Sequence, residues 1–249
     1  MAWKQHIPNA LTAFNLIAGL IALTLVLEGD LVMASLFIFI AALFDFLDGT
    51  AARLLDARSE LGKQLDSLAD LVSFGVVPGL ILFNLLSAGC EGSCNLLERY
   101  HITPYFALLI PVCAAFRLAK FNIDLRQEEH FIGLPVPANA IFFASVPLIL
   151  FTNSYRFTLI PIDFFTGFFS NTRVLAILTV LFAYLMVSDF RLFSMKFKKT
   201  TWKGNKVQFS FLILSVLFII LFSFCAIPLI ILTYFLLSLF FQKGIANSD

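Results

Sequence analysis

The stretch DFLDGTAARLLDARSELGKQLDSLADLVSFG, residues 45–75, sets Asp45, Asp48, Asp66 and Asp70 into a chain that is otherwise strongly apolar. On a helix, residues three and four apart share a face. Asp45, Asp48, Gly49, Ala52 and Arg53 stand at offsets of 0, 3, 4, 7 and 8. Two carboxylates, two small residues and a guanidinium therefore form one stripe, about 12 Å long at a helical rise of 1.5 Å per residue. Further on, Gly62, Asp66, Asp70 and Ser73 stand at offsets of 0, 4, 8 and 11 and form a second acidic face. The segment between the stripes, from about Leu55 to Glu60, is short. Two helices so joined run antiparallel as neighbours, and the four carboxylates can converge.

What surrounds this stretch fixes the class of protein. The chain has 249 residues, of which 60% are hydrophobic, 13% are charged and 31 are phenylalanine, and its mean hydropathy is +0.93. A soluble fold would have to expose much of that apolar surface, whereas a bilayer solvates it. Apolar runs of membrane-spanning length fall near 9–27, 31–54, 64–88, 104–123, 136–152, 172–190, 208–224 and 226–242. The expectation is an all-α polytopic membrane protein of about eight transmembrane helices, the last two divided only by Phe224 to Pro228. With no repeat or linker, residues 1–249 read as a single membrane domain, with a core near 7–190 and a C-terminal helical pair near 207–242. The first apolar run has no A-x-A site after it and is expected to remain as a span.

Lys and Arg in short loops stay on the cytoplasmic side. With eight spans and the N-terminus inside, all of the 17 Lys and Arg residues except Arg99, Arg156 and Arg173 fall in the cytoplasm. Both termini and the aspartates, at the ends of helices 2 and 3, are thus expected to be cytoplasmic. The basic run RLFSMKFKKTTWKGNK, residues 191–206, reads as a solvated loop touching anionic headgroups. Nothing in the charge pattern suggests nucleic acid. Cys113 and Cys225 lie in apolar runs, and Cys90 and Cys94 share a polar loop as two thiols or one local disulfide, so the cysteines give no metal framework.

An ionised carboxylate in hydrocarbon costs on the order of 2.5–3.5 kcal/mol even on a lenient scale, and clustering adds repulsion. Arg53 alone cannot neutralise four such charges, and Arg58 and Lys63 belong to the connecting loop. Carboxylate oxygens without thiolate or imidazole suit hard divalent ions such as Mg or Mn. Four of them suffice for two ions about 4 Å apart, an arrangement that clamps a phosphate during displacement. The bland alternative is a set of helix-end charges solvated by headgroups. A cation or proton transporter is the rival of another class, but it predicts acids near the midplane of several spans, and here they crowd one side.

Asp45-x-x-Asp48-Gly49-x-x-Ala52-Arg53, eight residues, then Gly62-x-x-x-Asp66-x-x-x-Asp70 resembles the complete signature of the CDP-alcohol phosphotransferases. The resemblance implies a cytidine diphosphate-linked donor bound on the cytoplasmic side, attack by an acceptor hydroxyl on phosphorus, and release of CMP. It implies that Asp45, Asp48, Asp66 and Asp70 bind two divalent metal ions, Mg or Mn, and that Asp70 is also the general base. It further implies that Gly49, Ala52, Arg53, Ser59 and Gly62 meet the donor, CDP-diacylglycerol. The wording LDSLADLVSFG at 65–75, RLAKFN at 117–122 and FIGLPVPANA at 131–140 is most similar to the membrane-integral phosphatidylserine synthases. That implies transfer of a phosphatidyl group to L-serine; glycerol 3-phosphate or an inositol phosphate is the alternative acceptor. Dimers are common in the family, so a homodimer is compatible with the reading.

Several other side chains have two readings. Arg117, Lys120 and Asn122 could reach a phosphate or the serine carboxylate, or anchor the membrane interface. Ser67 and Ser73 could recognise serine or pack helices. Asn9, Thr12 and Asn15 could cap and pack the first helix or line the nucleotide pocket. Pro135 and Pro137 in the GLPVPANA stretch serve to shape the start of the fifth span.

Overall fold

The computed structural model describes residues 2–57, 59–89, 102–123, 131–151, 163–192 and 206–245. Arg58, Cys90, Cys94 and most of the basic run at 191–206 lie outside the described residues. Helix α1 (Ala2–Leu27) ends where Gly29 takes φ +85°. There the Asp30 amide donates to the Leu25 carbonyl and the Gly29 amide to the Val26 carbonyl, satisfying carbonyls the helix end would orphan. Asp30 is at once the N-cap of α2 (Leu31–Leu54), its carboxylate accepting from the Met33 amide at 3.0 Å. The turn is so tight that α1 lies along α2 in the most extensive helix pair of the protein. Ala18, Ala22, Ala34 and Ala41 are buried, and small side chains of this kind let membrane helices approach closely.

α2 closes the same way, the Ala57 amide reaching the Ala52 carbonyl at 3.0 Å around Asp56 at φ 49°. Asp is one of the few L-residues that tolerates that conformation. Ser59 then caps α3 (Glu60–Asp70) by accepting from the Gly62 amide at 3.0 Å. α3 passes through a π-helical turn, Leu71–Val76, into α4 (Val77–Ala88). The cause is local: Pro78 has no N–H to offer the carbonyl four residues back, and the Val77 amide reaches instead to the Val72 carbonyl, five residues back.

A 3-10 turn, Thr103–Leu108, leads into α5 (Leu109–Ile123). Strand β1 (Phe131–Ile132) pairs antiparallel with β2 (Arg191–Leu192), Phe131 opposite Leu192. Between them come α6 (Val136–Phe151), α7 (Asp163–Ser170) and α8 (Thr172–Val187); α9 (Lys206–Phe222) and α10 (Ala226–Ile245) follow. α6 is the central helix, buried along most of its length, and Phe142 and Phe143 meet Phe182 of α8 at ring separations of 4.2 and 5.3 Å.

The expected all-helical, multi-pass architecture stands, with a two-residue strand pair as its only sheet among the described residues. The count of eight spans is not confirmed. Among the described residues, five helices are long and apolar enough to cross a membrane: His6–Leu27, Leu31–Leu54, Glu60–Ala88, Thr103–Ile123 and Gln208–Ser238; a sixth arises if α7 and α8, bent by 76°, count as one. α6 and α8 have 16 residues each, about 24 Å at 1.5 Å per residue, which is short of a hydrocarbon layer about 30 Å thick. The last two expected spans join through the turn Ser223–Cys225 into one apolar stretch.

α1 also packs against α3 and the π-helical turn, and Gly19 permits this. A Cβ at Gly19 would lie 2.2 Å from Ser73 Oγ and 3.0 Å from Ser73 Cα. Gly19→Ala must therefore push the two helices apart, at a cost of about 1–3 kcal/mol. A lowered melting temperature in detergent is the expected readout; an unchanged one would mean that the contact is not tight.

Candidate active site

A cavity of about 890 Å³ opens where α1 and α3 begin and α2 and α5 end. The stripe expected on α2 lines it in full: Asp45, Asp48, Gly49, Ala52 and Arg53. From α3 and its cap come Ser59, Gly62, Lys63 and Asp66, from α1 come Pro8, Asn9 and Thr12, and from α5 come Phe121 and Asn122. Another hollow, of about 470 Å³ along α8, is lined by Phe106, Ala176, Ile177, Val180, Leu181 and Tyr184 and offers no comparable set of charged groups.

The carboxylates are held rather than merely present. Oxygens of Asp45, Asp48 and Asp66 all lie within 4.8 Å of one another. Asp48 is buried and accepts a 2.6 Å hydrogen bond at Oδ2 from the Thr12 hydroxyl. Asp66 Oδ1 is buried and has no hydrogen-bond partner. A buried carboxylate oxygen left unpaired beside two other carboxylates is costly unless a cation takes it up, and an all-oxygen donor set fits a hard divalent ion. The residues therefore fit a divalent metal, with Asp45, Asp48 and Asp66 as its ligands.

Asp70, expected as a fourth ligand, stands outside that trio. It is buried one turn further along α3, where Oδ1 accepts from Asn15 Nδ2 at 3.1 Å. Ser73 is also removed from the cavity: fully buried, its hydroxyl donates to the Asn15 carbonyl at 3.1 Å. Of its two readings, serine contact and helix packing, this bond to α1 supports the packing one. Ser67 donates to the Lys63 carbonyl and accepts from Asn122 Nδ2 at 2.8 Å, so it braces the cavity wall.

The α5 residues divide. Asn122 lines the cavity, and its carbonyl accepts from Lys63 Nζ at 2.8 Å. Lys120 pairs with Asp189 beyond α8 and is not among the residues lining the cavity, which supports the anchoring reading of the two. Arg117 is buried, with its guanidinium 5.5 Å over the Phe121 ring and close to Gly133. Asn9 and Thr12 do line the cavity, while Asn15 sits behind it. Lys63, expected in the connecting loop, belongs to α3 and the cavity wall; its place three residues before Asp66, on the same helical face, is the signal in the sequence.

The two glycines differ. A Cβ at Gly62 would come 2.9 Å from Asn9 Oδ1, so Gly62 lets α1 approach. A Cβ at Gly49 would meet no protein atom within 4 Å, although Gly49 lines the cavity. Gly49→Ala should therefore fold normally and gain up to about 1 kcal/mol in helix propensity. Its methyl group would project into the ligand space, and the KM for the donor should rise about tenfold or more. Steady-state kinetics beside a melting curve would check this pair of opposite effects.

Residues 5–169 match the family model for CDP-alcohol phosphatidyltransferase. The chain is 37% identical over 187 residues, 75% of its length and 89% of the relative's, to a CDP-diacylglycerol–serine O-phosphatidyltransferase of Bacillus subtilis. A protein of the same description from Helicobacter pylori is 31% identical over 215 residues, 85% of this chain and 81% of that one. One from Mycobacterium bovis is 38% identical over 144 residues, 55% of this chain and 47% of its own length.

Proposed function

The chain belongs to the CDP-alcohol phosphatidyltransferase family, and from that premise we propose that it transfers a phosphatidyl group from CDP-diacylglycerol to L-serine, giving phosphatidylserine and CMP. The observation that carries the reading is the convergence of Asp45, Asp48 and Asp66 on one cavity wall with Arg53 alongside. Serine as acceptor is supported by the description shared by the three relatives.

Two divalent ions, Mg or Mn, are the cofactors of this reading, with Asp45, Asp48 and Asp66 as their shared seat and Asp70 completing the acidic set. When bound, they would neutralise the diphosphate and the charge that develops on the CMP leaving group. Arg53, exposed at the cavity rim, suits the diphosphate because its planar fork of donors matches phosphate oxygens. Gly49 leaves room for the donor to lie against α2, and Ser59 and Gly62 border the same space. The serine hydroxyl oxygen attacks the phosphorus that carries diacylglycerol, the bond from that phosphorus to the CMP oxygen breaks, and the hydroxyl proton passes to Asp70. Acyl chains enter laterally from the bilayer.

The proposal places both termini and the cavity on the cytoplasmic side of the cell membrane and treats residues 1–249 as one unit. Purified protein supplied with CDP-diacylglycerol and a panel of serine, glycerol 3-phosphate and inositol phosphate is the deciding assay. Serine-dependent CMP release is expected. Release with glycerol 3-phosphate but not serine would overturn the acceptor, and coupled ion flux in liposomes without CMP release would overturn the enzyme.

A further inference from the structure

Asn15 of α1 lies outside the motif that marks the family and outside the cavity lining, yet it is fully buried and directed at Asp70. Resting on the catalytic reading of Asp70, we propose that Asn15 is a positioning residue that sets the rotation of the Asp70 carboxylate for the acceptor hydroxyl.

Three observations support this. The Asn15 amide nitrogen donates to Asp70 Oδ1 at 3.1 Å. An NH2 group can only donate, so this oxygen is fixed as an acceptor, and Oδ2 is the oxygen this bond leaves available. Asn15 Oδ1 is buried without a hydrogen-bond partner, although turning the amide over would set two oxygens against each other at Asp70. The amide therefore keeps its NH2 end on Asp70 even though its own oxygen is left unpaired. Finally, the backbone behind Asn15 is itself fixed. The Ser73 hydroxyl donates to the Asn15 carbonyl at 3.1 Å, and Gly19, one turn on, leaves no room for a side chain between the helices.

Thr12 repeats the device three residues earlier on the same face. Its hydroxyl lies 2.6 Å from Asp48 Oδ2 and 3.1 Å from the Pro8 carbonyl. α1 thereby acts as a template that braces one carboxylate of α2 and one of α3. A carboxylate rotated or displaced by about 1 Å can cost on the order of 100-fold in rate.

The test compares Asn15→Leu and Asn15→Ala in the full chain, in detergent with saturating divalent metal, by kcat and KM for CMP release and by thermal melting. Both variants lack the donor and add no charge, and Asn15→Ala fits the space if the bulkier Asn15→Leu fails to fold. A fall in kcat of about 100-fold, with KM for both substrates little changed and a cooperative melt retained, is the expected result. A folded variant with parental kcat, or a loss carried by KM alone, overturns the proposal. Asp70→Asn separates the two levels of inference. If it keeps full turnover, the catalytic reading of Asp70 falls; if it is inactive while the Asn15 variants are fully active, only the role of Asn15 falls.

Discussion

Asp66→Asn is expected to reduce metal-dependent CMP release by at least about 100-fold, since even partners outside a metal's ligand set are worth 10–100-fold in affinity. Asp66 supplies one of three carboxylates whose oxygens lie within 4.8 Å of one another, and its Oδ1 is buried with no other partner. The substitution keeps the shape of the side chain and removes one negative charge from a crowded cluster. In chelator the variant should therefore melt no lower than the parent, because like-charge repulsion has been relieved. What it should lose is the rise in melting temperature that metal gives the parent, since a ligand stabilises only the state that binds it. Titration of Mg or Mn against both CMP release and melting checks the two effects together. Parental activity across the titration would remove Asp66 from the metal seat.

Asp70→Asn should be as damaging for a different reason. General-base catalysis contributes about 10²–10⁴-fold, and an amide cannot take the proton of the acceptor hydroxyl. Asn15 Nδ2 now lies 3.1 Å from Asp70 Oδ1, and the new amide oxygen could accept the same bond, so the local packing should survive. The loss should appear in kcat at every metal concentration. Asp66→Asn, by contrast, should recover partly as metal is raised, because it weakens binding rather than removing the proton acceptor. Recovery of Asp70→Asn at high metal would assign Asp70 to metal binding alone.

The two substitutions test different parts of one acidic cluster, and the sequence could not divide that cluster. Offsets of 0 and 4 put Asp66 and Asp70 on one face of α3, which made them look equivalent. The structure sets Asp66 against Asp45 and Asp48 and turns Asp70 toward Asn15, a residue 55 positions away in the chain. No local pattern records such a pairing. Ser73 illustrates the same limit. Its offset continued the acidic face, yet the π-helical turn after Asp70 shifts the register, and the hydroxyl ends against α1.

By itself, then, the sequence determined the properties that depend on nearest neighbours along the chain. The apolar runs required membrane helices. The 3, 4, 7 and 8 spacing on α2 fixed a stripe that lines the cavity in full. A helical period is a local rule, so these features could be read without knowing what packs against them. Only the tertiary structure decided which partners meet. It paired Thr12 and Asn15 of α1 with Asp48 and Asp70, added Lys63 to the cavity wall, and set Lys120 against Asp189. It also left α6 and α8 too short to count as full spans by length. Such outcomes depend on how helices distant in sequence are drawn together by close packing, where one missing Cβ at Gly19 decides how near two of them can come.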